Sequence, residues 1–206
     1  MNAVVDFWKN QFRHYDLAIG VLNPNFPAMA QRVAMTVRGC ERVLEAAAGT
    51  GLVTEWIAEA VGEVVATDQS EDMLSVLSRK LAAKRITNVT TRVADALALP
   101  FDDGVFDGAV AANLLHLLPE PEAALLELAR VVRPGGLVCV PTFCHGEDFV
   151  THLVSRVLGV VRFPIVTRFS GAKLTALVEG AGYTVVAREC FAGPLPVWFV
   201  VGRAKG

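Results

Sequence analysis

From residue 42 onward, short runs of β-branched and aliphatic residues alternate with segments whose apolar residues recur at helical spacing. The runs predict strands near 42–47, 63–68, 89–94, 106–112 and 136–143, followed by two more over 183–191 and 197–201. Strands that alternate with helices predict a parallel sheet with helices on both faces, an α/β doubly wound fold. The short link between the last two strands predicts a hairpin, so that one strand runs antiparallel to the rest.

Capping and breaking residues mark the expected helix ends. Ser70 is a candidate N-cap for a helix whose apolar stripe runs from Met73 to Leu81. A second helix is predicted to carry Val132 near its end and to stop before 134–136, the sequence Pro-Gly-Gly.

The length of 206 residues is enough to bury one full core, which predicts a single domain over 1–206. Within this domain, residues 1–40 are expected to form an N-terminal helical cap over the ligand edge of the sheet, with a break at 23–27. Residues 145–169 are expected to form a variable lid.

Charge and apolar content narrow the function classes. The net charge is −2 and no Lys/Arg cluster follows the chain, which argues against a nucleic-acid partner. No apolar run is long enough to span a bilayer, and the first residues lack the order of a secretory signal, so a cytoplasmic location is expected. The four cysteines lack zinc-like spacing, which predicts reduced thiols and no metal site.

A glycine turn follows the first predicted strand. The strand ends at Glu45, and Gly49 and Gly51 then precede a segment of helical composition over 52–60. Such a turn allows close approach of a ligand to the backbone, and the helix N-terminus favours a carboxylate or phosphate. The alternative is an ordinary strand-to-helix turn.

Asp68 ends the second predicted strand, where an acidic side chain can accept hydrogen bonds from the two hydroxyls of a ribose. Helix capping is the alternative role for this residue. A nucleoside ligand is therefore expected, but Asp68 does not distinguish a nicotinamide cofactor from another adenosine compound.

Several short motifs occur together over residues 40–143. They are the turn from Glu45 to Gly51, Asp68, the pair Asp95-Ala96, the stretch from Leu-Pro-Phe at 99–101 to Phe-Asp at 106–107, and Arg-Pro-Gly-Gly at 133–136. In this order they resemble class I methyltransferases that use S-adenosylmethionine. The resemblance implies the strand order 3-2-1-4-5-7-6 with the last strand antiparallel, whereas a nicotinamide oxidoreductase would explain only the first βαβ unit.

The resemblance also implies roles for individual residues. Gly49 and Gly51 would pass close to the methionine part and the ribose, and Glu45 would lie near the methionine ammonium. Ala47 occupies the position of a glycine in many members, and its methyl group is the smallest side chain that could replace it. The remaining implied cofactor contacts are Asp68 and Gln69 at the ribose, Met73, Asp95 and Ala96 at the adenine, and Asn113 at the methionine moiety.

Three residues are candidates for catalysis. His116 and His145 follow the fourth and fifth predicted strands, where either could act as a base or be a structural histidine. Tyr15 lies in an N-terminal segment that resembles the ubiquinone and menaquinone methyltransferase branch, and it could line the active site or belong to an apolar docking face. Cys144 could likewise be a reactive thiol or a buried small residue.

The expected reaction is in-line transfer of a methyl group from S-adenosylmethionine to a small molecule, which leaves S-adenosylhomocysteine. The apolar residues over 149–158 suggest an apolar acceptor, although they could instead form a structural lid or a homodimer face. A phospholipid amine is an alternative acceptor. A module that binds the cofactor without catalysis is an alternative of another class.

Overall fold

The computed structural model describes residues 24–144, 166–194 and 196–205. The described helices are α1 (Phe26–Val37), α2 (Thr54–Ala58), α3 (Glu71–Lys84), α4 (Pro121–Val131) and α5 (Gly171–Gly180), with a 3₁₀ turn at Leu115–Leu117. The described strands are β1 (Arg42–Ala46), β2 (Glu63–Asp68), β3 (Val89–Val93), β4 (Phe106–Val110), β5 (Val132–Cys139), β6 (Thr142–Phe143), β7 (Thr184–Phe191) and β8 (Val197–Arg203).

These strands form one mixed sheet in which β3, β2, β1, β4 and β5 are parallel neighbours. Strand β8 pairs antiparallel with β5 on one side and with β7 on the other. The predicted order 3-2-1-4-5-7-6 is confirmed, because the predicted sixth and seventh strands are β7 and β8. The strand predicted over 136–143 is divided in the structure, because β5 begins earlier and ends at Cys139, and the short strand β6 then continues along β8.

Alternating residues of each central strand face two separate cores. On β1, Val43 packs with α1, α2 and α3, whereas Leu44 packs with α4 and α5. On β8, Phe199 belongs to the same core as Val43, and Val200 belongs to the same core as Leu44. Helices therefore cover both faces of the sheet, as the fold class predicts.

Some helix and strand boundaries predicted from the local sequence are correct, and others are wrong. The hydroxyl of Ser70 accepts a hydrogen bond from the amide of Met73 at 3.3 Å, which confirms the predicted N-cap of α3. Val132 starts β5 and does not extend the preceding helix, so that prediction was wrong. Residues 134–136 lie within β5, where a register shift against β4 accommodates them. Strand β4 ends at Val110, two residues earlier than predicted.

The expected N-terminal cap and lid fall largely outside the described residues. Of residues 1–40, the described part contains α1, which packs on the sheet through Met29, Ala30 and Val33. The division into a cap, a core and a lid stays a prediction. Among the described helices, none has the length and apolar content needed to cross a bilayer.

Candidate functional site

The carboxyl ends of β1, β2 and β4 open into a single cavity, the position at which doubly wound sheets bind ligands. Of the ten residues predicted to contact a cofactor, nine line this cavity: Glu45, Ala47, Gly49, Asp68, Gln69, Met73, Asp95, Ala96 and Asn113. Gly51 is not part of the lining. The topology thus brings together residues that lie up to 68 positions apart in the chain.

The two glycines of the turn have different surroundings. Both have a left-handed φ, +57° at Gly49 and +87° at Gly51. A Cβ at Gly49 would have no atom within 4 Å, whereas a Cβ at Gly51 would lie 2.3 Å from Cδ1 of the buried Leu77. Gly49 therefore leaves room at the cavity, and Gly51 allows α3 to pack against the turn. Ala47 also has a left-handed φ of 57°, a conformation that is strained for alanine.

Glu45 is the most deeply buried acidic residue of the described cavity lining, with 2% of its surface exposed. Its Oε2 has no hydrogen-bond partner among the described residues. Burial raises its pKa to about 8, the nearby Thr54 side chain acts to lower this pKa, and the charge of Asp68 acts to raise it. A buried carboxyl oxygen without a partner fits a site for a cationic group.

Asp68 is held by backbone amides of the two neighbouring turns. Its Oδ2 accepts from the amide of Gly49 and its Oδ1 from the amide of Ser70, both at 2.9 Å. Burial raises the pKa of Asp68, and these hydrogen bonds act in the opposite direction. The carboxylate is thus fixed at the cavity, with the exposed Gln69 beside it. The hydrogen bond from the Ser70 amide also gives Asp68 part of the helix-capping role that was the alternative to ribose binding.

Met73 and the segment 95–97 form the part of the lining that follows β2 and β3. Met73 is buried, yet it belongs to neither of the two core clusters formed by the described residues. Asp95 is exposed, and its Oδ1 accepts from the amide of Leu97 at 2.9 Å, which holds the segment in a tight turn. Ala96 is buried between them. Asp95 therefore also stabilises its own turn, which is the alternative to a role in ligand binding.

Asn113 lies just after β4 and has a left-handed φ of 54°. Its backbone N–H donates to the carbonyl of Pro141 at 2.7 Å. The buried side-chain oxygen Oδ1 has no partner among the described residues. This strained position turns the chain from β4 into the cavity wall.

A further part of the cavity lining, the apolar wall, was not predicted from the sequence. It consists of Phe26, Leu52, Val53, Leu114, Leu117, Leu118, Pro119 and Phe143. The apolar run from Leu114 to Pro119 directly after a predicted strand was a usable signal for part of this wall. The contribution of Phe26 depends on how α1 packs, which local sequence does not specify.

His116 lies in this apolar wall, and Tyr15 and His145 fall outside the described residues. The side chain of His116 is buried, and its ring packs edge-to-face on Phe143 with 5.6 Å between ring centres. Its backbone carbonyl accepts from the amides of Val166 and Thr167, both at 3.0 Å. The imidazole is therefore held at the cavity by the fold.

A reactive thiol at Cys144 receives no support in the described residues. Burial raises the pKa of Cys144 to about 12, which does not favour a reactive thiolate. Within the described ranges, no cluster of three or more His, Cys, Asp or Glu side chains could hold a metal ion.

Comparison with known proteins covers most of the cavity lining, although Phe26 and Phe143 lie outside the residues matched by the family model. A family model described as "Methyltransferase domain" matches residues 44–140. The demethylmenaquinone methyltransferase of Thermus thermophilus is 35% identical over 156 residues, which cover 75% of this chain and 69% of that protein. The enzyme of the same name from Shouchella clausii is 34% identical over 146 residues, 68% of this chain and 62% of that protein. A third, from Renibacterium salmoninarum, is 37% identical over 134 residues, 64% of this chain and 54% of that protein. The chain thus spans less than two thirds of the length of the latter two relatives.

Solved structures show the same fold at low sequence identity. A putative methyltransferase from Haloferax volcanii, solved in complex with the Trm112 methyltransferase activator, superposes with a TM-score of 0.81 at 18% identity, covering 99% of this chain and 98% of that chain. A methyltransferase from Thermotoga maritima, described as a possible histamine N-methyltransferase, gives a TM-score of 0.75 at 21% identity, with all of both chains covered. At these identities the two structures are informative about the fold alone.

Proposed function

We propose that this chain, which belongs to the class I S-adenosylmethionine-dependent methyltransferases, transfers a methyl group from that cofactor to a small, apolar, quinone-like acceptor. Membership in the family confirms the resemblance predicted from the motifs, and it sets aside the nicotinamide alternative. The observation that carries the proposal is a single cavity whose lining combines three acidic residues with many apolar ones.

Two features of the cavity fit S-adenosylmethionine. The buried Oε2 of Glu45 lacks a partner among the described residues, and the methionine ammonium would supply one. The space beside Gly49 is open, so the backbone can be approached closely at that point. These two features support placing the methionine part of the cofactor between β1 and the turn, where Ala47 and Asn113 also border the cavity.

The other assignments follow the path of the lining. Asp68, with Gln69 beside it, is proposed to bind the ribose hydroxyls, because its fixed carboxylate keeps further acceptor capacity. Met73 and Ala96 are proposed to pack against the adenine, and Asp95 to accept from its amino group. Gly51 is proposed to support the turn without contacting the ligand.

The bound cofactor supplies an electrophilic methyl group on a sulfonium. The residues of this chain then have to hold an acceptor in line with that methyl group and exclude water from the reacting atoms. The wall that contains Leu114, Leu117 and Phe143 suits an apolar ring system in this role better than a phospholipid headgroup. The name of these relatives, demethylmenaquinone methyltransferase, refers to an acceptor of the same chemical class.

His116 is proposed to bind the acceptor hydroxyl and take its proton. Among the described lining residues, it is the titratable side chain on the apolar side of the cavity. As the acceptor forms its bond to the methyl carbon, the hydroxyl proton would pass to the imidazole and the sulfur would keep the electron pair of the broken bond. Tyr15 and His145 remain predicted candidates, and the homodimer and the absence of a nucleic-acid partner remain predictions.

Calorimetry with S-adenosylhomocysteine and a methyl-transfer assay with a naphthohydroquinone test the proposal. Asp68→Ala should weaken binding by about tenfold or more, since it removes charge-assisted hydrogen bonds to the ribose. Asp72→Ala is the matched control, because Asp72 is exposed on α3 and does not line the cavity. Absence of binding by the unmodified chain would refute the cofactor assignment. Binding without transfer to any tested acceptor would favour the non-catalytic module.

A further inference from the structure

The cavity wall at 95–97 continues into a segment, Leu99–Asp103, that has no helix or strand of its own. Two side chains of α4 hold this segment. Oε2 of Glu127 accepts from the amide of Leu99 at 2.9 Å, and Nη2 of Arg130 donates to the carbonyl of the same residue at 2.9 Å. Both backbone polar groups of Leu99 are therefore satisfied by one ion pair.

Arg130 uses its full set of donors in this arrangement. Nη1 donates to the carbonyl of Phe101 at 2.7 Å and to Oδ1 of Asp103 at 2.8 Å. Nε and Nη2 each donate to a different carboxylate oxygen of Glu127, both at 2.9 Å. With the bond to Leu99, these hydrogen bonds account for all five N–H groups that a guanidinium has.

The segment held in this way is continuous with the proposed adenine wall. Leu99 is buried, and it follows Leu97 by two residues. The turn at 95–97 has its own short hydrogen bonds, from the amide of Leu97 to Asp95 Oδ1 and from the amide of Ala98 to the Asp95 carbonyl. A displacement of Leu99 would therefore move this turn as a unit. Neither Glu127 nor Arg130 lines the cavity.

We propose that Arg130 and Glu127 are positioning residues that set the adenine selectivity of the cavity by fixing the 95–97 turn through the backbone of Leu99. This inference rests on the proposed function, since it assumes that the turn contacts adenine. The pair acts from outside the cavity and touches no ligand atom.

The test compares two probes by calorimetry, S-adenosylhomocysteine and S-inosylhomocysteine, in which hypoxanthine replaces adenine. The folded protein should prefer the adenine compound by about tenfold or more, because hypoxanthine presents an oxygen where Asp95 needs a donor. Arg130→Lys keeps the charge but lacks the planar set of donors, so this preference should fall toward unity. The affinity for S-inosylhomocysteine should change little.

Arg133→Lys is the matched control. Arg133 lies three residues further on and binds Oδ1 of Asp107 at 2.8 Å, away from the cavity lining. This variant should keep the full preference for adenine. If Arg130→Lys proves too unstable to assay, Glu127→Ala takes its place, because it removes both the ion pair and the acceptor of the Leu99 amide.

The outcomes separate the two proposals. Loss of selectivity in the Arg130 or Glu127 variant, with selectivity kept in the Arg133 variant, supports the inference. A folded Arg130→Lys protein that keeps the selectivity of the unmodified chain overturns it, as does an equal loss of affinity for both probes. If the unmodified chain binds neither probe, the proposed function fails instead.

Discussion

The turn after β1 contains two glycines, and replacing one by alanine should mainly weaken cofactor binding whereas replacing the other should mainly lower stability. For Gly49→Ala, the left-handed backbone costs alanine about 1–2 kcal/mol. The lower entropy of the unfolded chain returns about 0.4–1 kcal/mol, which leaves a net loss of about 1 kcal/mol. Since a Cβ at Gly49 meets no atom within 4 Å, no steric cost is added in the free protein.

Gly51→Ala carries the same backbone cost and a steric one. Its Cβ would lie 2.3 Å from Cδ1 of the fully buried Leu77, so that this side chain would have to shift within the core. Overpacking of this kind costs about 1–3 kcal/mol, so the total loss should be about 3 kcal/mol. For a chain of this size, about 1 kcal/mol lowers the Tm by about 2–4 °C.

Thermal denaturation and calorimetry with S-adenosylhomocysteine measure the two effects separately. Gly51→Ala should have the larger drop in Tm and near-normal affinity at a temperature where it is folded. Gly49→Ala should have the smaller drop in Tm but an affinity reduced by about tenfold or more, because its methyl group occupies cofactor space. Gly182→Ala is the control, as Gly182 has a φ of +92° and no atom within 4 Å of its Cβ position, away from the cavity lining. Equal losses of stability at positions 49 and 51, or normal binding by Gly49→Ala, would refute the reasoning.

Three further predictions concern buried groups. Folding raises the pKa of Glu45 from 4.5 to about 8, so between these values the folded chain holds a proton that the unfolded chain has released. Stability should therefore fall as the pH rises through this window, by on the order of 1 kcal/mol per pH unit, and Glu45→Gln should flatten the slope measured by urea denaturation. Tyr183→Phe removes the 2.6 Å hydrogen bond from Oη to the Leu125 carbonyl and should cost about 1 kcal/mol in the same assay, where an unchanged midpoint would contradict the assignment. Burial raises the pKa of Cys144 to about 12, so this thiol should resist iodoacetamide at pH values near 8 while the exposed Cys190 reacts. Mass spectrometry of the labelled peptides measures both reactions, and faster labelling of Cys144 would contradict the prediction.

The elements and the sheet order were predictable because they depend on local pattern and on family motifs. Ser70 caps α3 as its sequence context predicts, and nine of the ten expected cofactor contacts line one cavity. In each case the signal lies within a few residues of the feature. Val132 was misplaced because an apolar residue at helical spacing can equally begin a strand, and here pairing with Phe106 decides the outcome.

Features that depend on distant contacts were not predictable. The partner of Gly51 is Leu77, and Leu99 is held by side chains 28 and 31 positions further along the chain. Neither contact leaves a periodicity or a motif that a single sequence displays. The same reason applies to Phe26, which reaches the cavity only because α1 packs on the sheet.

The position of β8 constrains the order in which the sheet can be completed. This strand lies between β5 and β7, yet it emerges from the ribosome after both of them. Until it is made, β5 and β7 present unpaired backbone edges of the kind that recruit other strands. Between the synthesis of β5 and that of β8, the sheet is therefore incomplete and prone to association, and the insertion of β8 ends that interval.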